Sequence, residues 1–209
     1  TVKDKNLQGY VVYSAQNGSI FVPADTIFYT GKGNFQYVDN SLNTVANTYS
    51  YYIKAIDSCG NLAEPADTHT TVHITVVPQN EVNKISWSPY QGFSQTGYVL
   101  YRKTGSGSWQ KIATLNGNTT VFYDYYVYCH AFYTYRVLAQ SLTSTADSAY
   151  SNTDTARAFK NTPPYNASII NVTVSVTSNT LGQIQVNWKP SATRDIEEYV
   201  IYRRNKGTP

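Results

Sequence analysis

Apolar and polar residues alternate with a period of two along much of the chain, the pattern of strands that bury one face. In the run 49–55, Tyr49, Tyr51, Ile53 and Ala55 fall on one side. In 133–139, Tyr133, Tyr135, Val137 and Ala139 do the same. Residues 71–76 alternate as a further strand. Clusters of turn-forming residues separate these runs, among them Gly31-Lys32-Gly33-Asn34, Gly105-Ser106-Gly107-Ser108 and Asn116-Gly117-Asn118. Short strands with turn signals at such intervals predict an all-β chain built of antiparallel β-sandwiches.

The pattern also repeats. Gly9-Tyr10-Val11-Val12-Tyr13 returns as Gly97-Tyr98-Val99-Leu100-Tyr101 and again as Glu198-Tyr199-Val200-Ile201-Tyr202. The spacing is that of a small sandwich, about 100 residues. A strand ending in tryptophan precedes the second and third copies: Trp87 comes 11 residues before Tyr98, and Trp188 comes 11 before Tyr199. Downstream, Tyr49-Ser50-Tyr51-Tyr52-Ile53-Lys54-Ala55 matches Tyr133-Thr134-Tyr135-Arg136-Val137-Leu138-Ala139. An aromatic–Asp step precedes each, Tyr37-Val38-Asp39 and Phe122-Tyr123-Asp124.

A second strand ending in Trp, a third carrying Tyr-x-x-Tyr and a sixth carrying Tyr-x-x-x-Ile/Val-x-Ala together resemble fibronectin type III domains. The resemblance implies that Trp87 and Trp188 fill the space between two sheets. It also implies that Tyr49 and Tyr133 form tyrosine corners, with their hydroxyls bonded to upstream backbone. Tyr10, Tyr98 and Tyr199 complete the expected core. Three modules follow: residues 1–77 as a partial domain with strands C to G, 78–160 as a nearly complete one, and 161–209 as strands A to C of a third. Paired prolines in Lys160-Asn161-Thr162-Pro163-Pro164 mark a linker. The earlier junction is too short for a loose one, so a stiff joint is expected there. Such a layout is expected of a window on a longer chain, with neighbouring domains of that chain as its partners; exchange of terminal strands between copies is the alternative.

A narrower resemblance rests on Ala55-Ile56-Asp57-Ser58-Cys59-Gly60-Asn61, on Trp87-Ser88-Pro89-Tyr90-Gln91-Gly92-Phe93-Ser94, and on Asp195-Ile196-Glu197-Glu198-Tyr199-Val200-Ile201-Tyr202-Arg203. These resemble repeats in large surface proteins of Bacteroidota, labelled gliding-motility-associated and exported by type IX secretion. The resemblance implies an extracellular, cell-surface location.

Composition supports the strand reading: Val and Ile number 31 and Thr 25, against 8 Leu and no Met. Only 14% of residues are charged and the net charge is +3, with basic residues scattered singly; the densest group is Arg203, Arg204 and Lys206. No basic cluster of the kind that grips a phosphate backbone is present, so a nucleic-acid partner is not expected. No apolar run approaches the ~18 residues of a membrane-spanning helix.

Candidate chemistry is sparse. Cys59 and Cys129 lack metal-ligand spacing and read as free or partly buried thiols, with a disulfide joining two modules as the alternative. His69 and His73 fall on a strand or its lead-in and have no third ligand nearby in sequence. His130 follows Cys129, but adjacent side chains of an extended segment diverge, which argues against a nucleophile pair. No cofactor and no catalytic group are expected. The sequons at Asn17, Asn118, Asn166 and Asn171 occur at chance frequency. Five of nine Asp are followed by Ser or Thr, and three of these pairs resemble the O-glycosylation signal of Bacteroidota, making Thr26, Ser148 and Thr155 candidate acceptors. Residues 122–128, Phe-Tyr-Asp-Tyr-Tyr-Val-Tyr, hold more rings than a strand can bury, so about half should be exposed. Tyr125, Tyr126 and Tyr128 are the candidate contact surface for a glycan or a protein. The expected function is that of a non-catalytic stalk or spacer in an adhesin- or filament-like surface protein. The alternatives are a binding module using these tyrosines, or accessory domains of a secreted hydrolase.

Overall fold

The computed structural model describes residues 6–204 apart from Lys32, Ser41, Gln95, Thr145, Ala146 and Asp195. Lys32 of the first glycine-rich turn, Asp195 of the third tyrosine repeat and Lys206 of the basic group therefore lie outside the described residues. The chain divides into two compact units, Thr1–Ala158 and Phe159–Pro209. The division falls beside the proline-rich stretch, and residues on both sides of the anticipated 77/78 boundary belong to the first unit.

Every element in the described residues is a strand, as the β-branched composition and the period-two runs require. The first unit begins with β1 (Leu7–Gln16), β2 (Val22–Phe28), β3 (Tyr49–Asp57) and the short β4 (His69–Thr70). They form one antiparallel sheet in the order β2-β1-β3-β4. Its register pairs Tyr10↔Ala55, Val12↔Ile53 and Ser14↔Tyr51. Val12 is buried, whereas Ile53, expected on the covered side, is 43% exposed, because no second layer lies over it among the described strands.

The chain then crosses through residues 71–73 into β5 (Ile74–Gln79), followed by β6 (Val82–Trp87), β7 (Thr96–Thr104), β8 (Gln110–Asn116), β9 (Val121–Asp124), β10 (Phe132–Ser141), β11 (Ser148–Tyr150) and β12 (Asp154–Arg157). Two sheets result. One is β5-β6-β9; the other is β11-β10-β7-β8, with β12 also pairing β10. Ile74, Val76, Ile85 and Trp87 from the first sheet meet Tyr98, Leu100, Tyr133, Tyr135, Val137 and Ala139 from the second, and all ten are buried. This is a closed two-layer sandwich. Of residues 71–76, expected as one strand, only Ile74 onward is strand, in β5, which pairs β6; the two-residue β4 before it, His69–Thr70, pairs β3.

The second unit contributes β13 (Ser168–Val176) and β14 (Gln183–Lys189), a two-stranded antiparallel hairpin. Residues 199–202, expected as a third strand of this module, form none. The reason is physical. By comparison with β7, whose ladder partners are β8 and β10, this segment should pair with strands of the opposite sheet, and the described residues of this unit offer none. The segment around Tyr37–Asp39 is likewise not a strand, whereas its counterpart β9 pairs β6. A strand exists only where a neighbour supplies its hydrogen bonds.

Candidate functional site

The side chains singled out by their spacing fall into a repeated internal scaffold and a surface loop that this scaffold pushes outward. Trp87 closes β6 and is 5% exposed. Its ring meets Tyr98 at 5.6 Å in an edge-on geometry of 69°, and the Tyr98 hydroxyl accepts the backbone N–H of Tyr90 at 2.8 Å. The second unit repeats the device: Trp188 and Tyr199 lie 5.8 Å apart, and the Tyr199 hydroxyl accepts the Ser191 N–H at 3.0 Å. In both cases the hydroxyl reaches back eight residues, so the 11-residue interval ties a strand-connecting loop to the ring below it.

Burial differs between the copies. Trp87, Tyr98, Tyr49 and Tyr133 are buried, whereas Trp188 is half-buried and Tyr199 is 39% exposed. The expected core position of Tyr199 is thus corrected, because a two-stranded hairpin cannot cover it. Tyr10 is also only half-buried and packs against Phe35 at 5.3 Å.

The two corner tyrosines differ in their backbone contacts. The Tyr133 hydroxyl accepts the Tyr128 N–H at 2.8 Å, and the Tyr49 hydroxyl donates to the Asn43 carbonyl at 3.5 Å. A second tyrosine pin escaped the sequence reading. Tyr135 donates to buried Asp124 at 2.9 Å, and Tyr51 donates to Asp39 at 2.9 Å. The signal was present as the aromatic–Asp step, which places the carboxylate 11 residues before the tyrosine in one module and 12 in the other. Burial, with the hydrogen-bonded carboxylate beside it, holds each of these phenols above the ordinary tyrosine range.

Around Asp124 the second module has a fuller network. Arg102 pairs with it at 2.7 Å, donates to the Tyr126 carbonyl at 2.8 Å and lies over the Tyr133 ring at 5.2 Å. The Tyr126 N–H donates back to Asp124 at 3.0 Å, and Asn83 donates to the Tyr135 hydroxyl at 2.9 Å. The backbone of 126–128 is therefore pinned from inside by Asp124, Arg102 and Tyr133. Val127 turns inward and is buried, while Tyr125, Tyr126 and Tyr128 are exposed by 63%, 75% and 52%. With Tyr123 also exposed, four of the five rings face out, more than the half expected, because inward pinning leaves the other side chains one direction.

The closed module places a three-stranded sheet opposite a five-stranded one, with Trp87 ending its second strand, β6, and the corner tyrosine, Tyr133, in its sixth, β10. The fold is fibronectin type III-like. No family model matches the chain, and no curated protein matches it. Solved structures similar to it include the FN1–FN3 domains of chicken CNTN1, at 17% identity over 73% of this chain and 56% of that one, with a TM-score of 0.38. Pectate lyase PelI of Erwinia chrysanthemi, in complex with tetragalacturonic acid, is similar at 25% identity over 41% of this chain, with a TM-score of 0.37. Pectate lyase Pel3 of Pectobacterium carotovorum is similar at 24% identity over 47% of this chain, with a TM-score of 0.37. The chain spans 28% and 30% of the lengths of those two enzymes.

The remaining candidates are exposed or partly exposed. Ser148 and Thr155 are exposed and Thr26 is half-buried. The Thr155 hydroxyl is engaged with that of Thr134 at 2.8 Å. Both cysteines are free thiols, Cys59 exposed and Cys129 partly so. His130, at φ 64°, bonds Arg157 at 3.0 Å rather than Cys129. His73 bonds the Val45 carbonyl at 2.7 Å, and His69 bonds the Tyr90 hydroxyl at 2.6 Å. Among the described residues no three of His, Cys, Asp and Glu converge as metal ligands, and no helix is long and apolar enough to cross a membrane.

Proposed function

We propose that this chain is a non-catalytic spacer, a run of fibronectin type III-like modules in the stalk of a large extracellular bacterial surface protein. The observation that carries the reading is the joint between the first sheet and the closed sandwich. Thr71 donates its N–H to Tyr49 at 2.9 Å, His73 donates its own to the Ser88 hydroxyl at 2.9 Å, and Thr70 bridges to Gln91. A module with its own core, joined to its predecessor by three hydrogen-bonded residues, carries tension without a slack linker. The parse into modules 1–77, 78–160 and 161–209, with neighbouring domains of a longer chain as partners, belongs to this proposal. So does an origin among type IX-secreted, gliding-motility-associated proteins of Bacteroidota, which rests on the sequence resemblance alone. Pulling the chain from its two ends tests the mechanical reading. The closed module should unfold in one abrupt event that releases on the order of 300 Å of chain. Smooth extension with no such event refutes it.

A second reading has an observation of its own: the outward tyrosines 125, 126 and 128 on an internally pinned backbone form a pre-organised contact surface for a glycan or another surface protein. Changing each to Ala should reduce binding on a glycan or protein array. Unchanged binding removes this reading.

A further inference from the structure

A cleft of about 570 Å³ opens in the first unit where residues 90–94 after β6, Thr143 and Asp147 between β10 and β11, and Asp67 and His69 at the approach to β4 converge. That volume lies within the ~300–1,000 Å³ of small-ligand sites. One wall is aromatic. The Tyr90 and Phe93 rings are 4.3 Å apart, and His69 stands edge-on to each at 5.8 Å. The wall is held in place: Tyr90 is tied to His69 through its hydroxyl and to the Tyr98 hydroxyl through its N–H. Gly92, at φ 123°, passes so close beneath His69 that a Cβ there would collide with the imidazole.

The cleft also presents acceptors. Asp67 and Asp147 line it, and among the described residues neither carboxylate has a hydrogen-bond or ion-pair partner. Burial, with the Asp147 charge nearby, holds the Tyr90 phenol above its ordinary range, which places that carboxylate in the same electrostatic environment as the ring. The hydroxyls of Thr143 and Ser148 complete the rim.

The geometry points to a saccharide site that takes a neutral or amino-substituted pyranose. The C–H face of such a sugar stacks on an aromatic ring, while its vicinal hydroxyl or ammonium groups donate to unpaired carboxylates, which are acceptors only. A uronic acid would bring its own charge against Asp67 and Asp147 and is selected against. The cleft is separate from the tyrosine loop of 125–128, and the inference does not depend on the spacer reading.

The test is calorimetric titration of the full chain with cellotetraose, mannotetraose, glucosamine tetraose and tetragalacturonic acid. At least one of the first three should bind with a Kd of about 1 mM or tighter, and tetragalacturonic acid should not. Phe93→Ala and Asp147→Asn should each weaken that binding by about five- to tenfold, the scale of one lost stacking contact. Thermal melts verify folding; Asp147 is exposed, so its variant decides alone if Phe93→Ala unfolds. No binding of the three probes at about 10 mM overturns the proposal, as does preferential binding of tetragalacturonic acid or binding that withstands the cleft substitutions.

Discussion

Trp87 offers the sharpest test of how the closed module is held together. It is 5% exposed, packs edge-on against Tyr98, and belongs to the same cluster as Ile85, Leu100 and Val137. Truncating such a residue loses its transfer free energy and leaves a cavity in a close-packed interior, about 3–5 kcal/mol for Trp→Ala. The indole Nε1, however, is buried with no hydrogen-bond partner among the described residues. An unsatisfied buried donor costs roughly 1–3 kcal/mol, so a replacement that keeps a ring and deletes the N–H regains part of what it loses. Trp87→Phe should therefore cost much less than Trp87→Ala, under about 1.5 kcal/mol. Urea unfolding followed by circular dichroism gives both values. For a module of this size, the Ala variant should also melt at least about 12 °C lower. A Trp87→Ala loss below about 1 kcal/mol, or a Phe variant as damaged as the Ala one, refutes the assignment of Trp87 as an interior pin.

Asp124→Ala should cost about 3–5 kcal/mol, because it strands a guanidinium only 16% exposed, and Arg102→Met with Asp124→Leu should be more stable than Asp124→Ala alone; urea midpoints of the three variants check this. Tyr133→Phe removes the acceptor of the Tyr128 N–H and should cost about 1 kcal/mol in the same assay, with a smaller loss for Tyr49→Phe, whose bond is longer. Because the Tyr135 phenol is held protonated in the folded state more strongly than in the unfolded one, the stability it contributes is full below pH ~10 and is lost as pH rises above that value. Alkaline unfolding should thus be shallower in Tyr135→Phe, measured against wild type over that limb.

The internal scaffold was legible because it rests on intervals. Trp-to-Tyr spacing of 11 and the Tyr-x-Tyr pairs each map onto a fixed geometry once the strands are extended, and Trp87, Tyr98 and Tyr133 lie inside as that spacing requires. The acceptors of the second tyrosine pin were visible only as a recurring aromatic–Asp step with no assigned role. Nothing in the linear order of Asp124 and Tyr135 shows that Arg102, from a third strand, joins them. The cleft was not legible at all: Asp67, Tyr90 and Asp147 sit on three separate loops, and only the joint between the first sheet and the sandwich brings them together.

Period-two alternation and turn residues are local stereochemistry, so the chain alone dictated an all-β fold and the direction in which most side chains point. Whether a given stretch becomes a strand was decided elsewhere. Tyr98–Tyr101 forms one between β8 and β10, while its near copy Tyr199–Tyr202 does not, despite nearly the same residues. A ladder hydrogen bond needs a partner, and burial needs an opposing layer. Neither is a property of the segment itself, and both come only with the neighbours that the fold supplies.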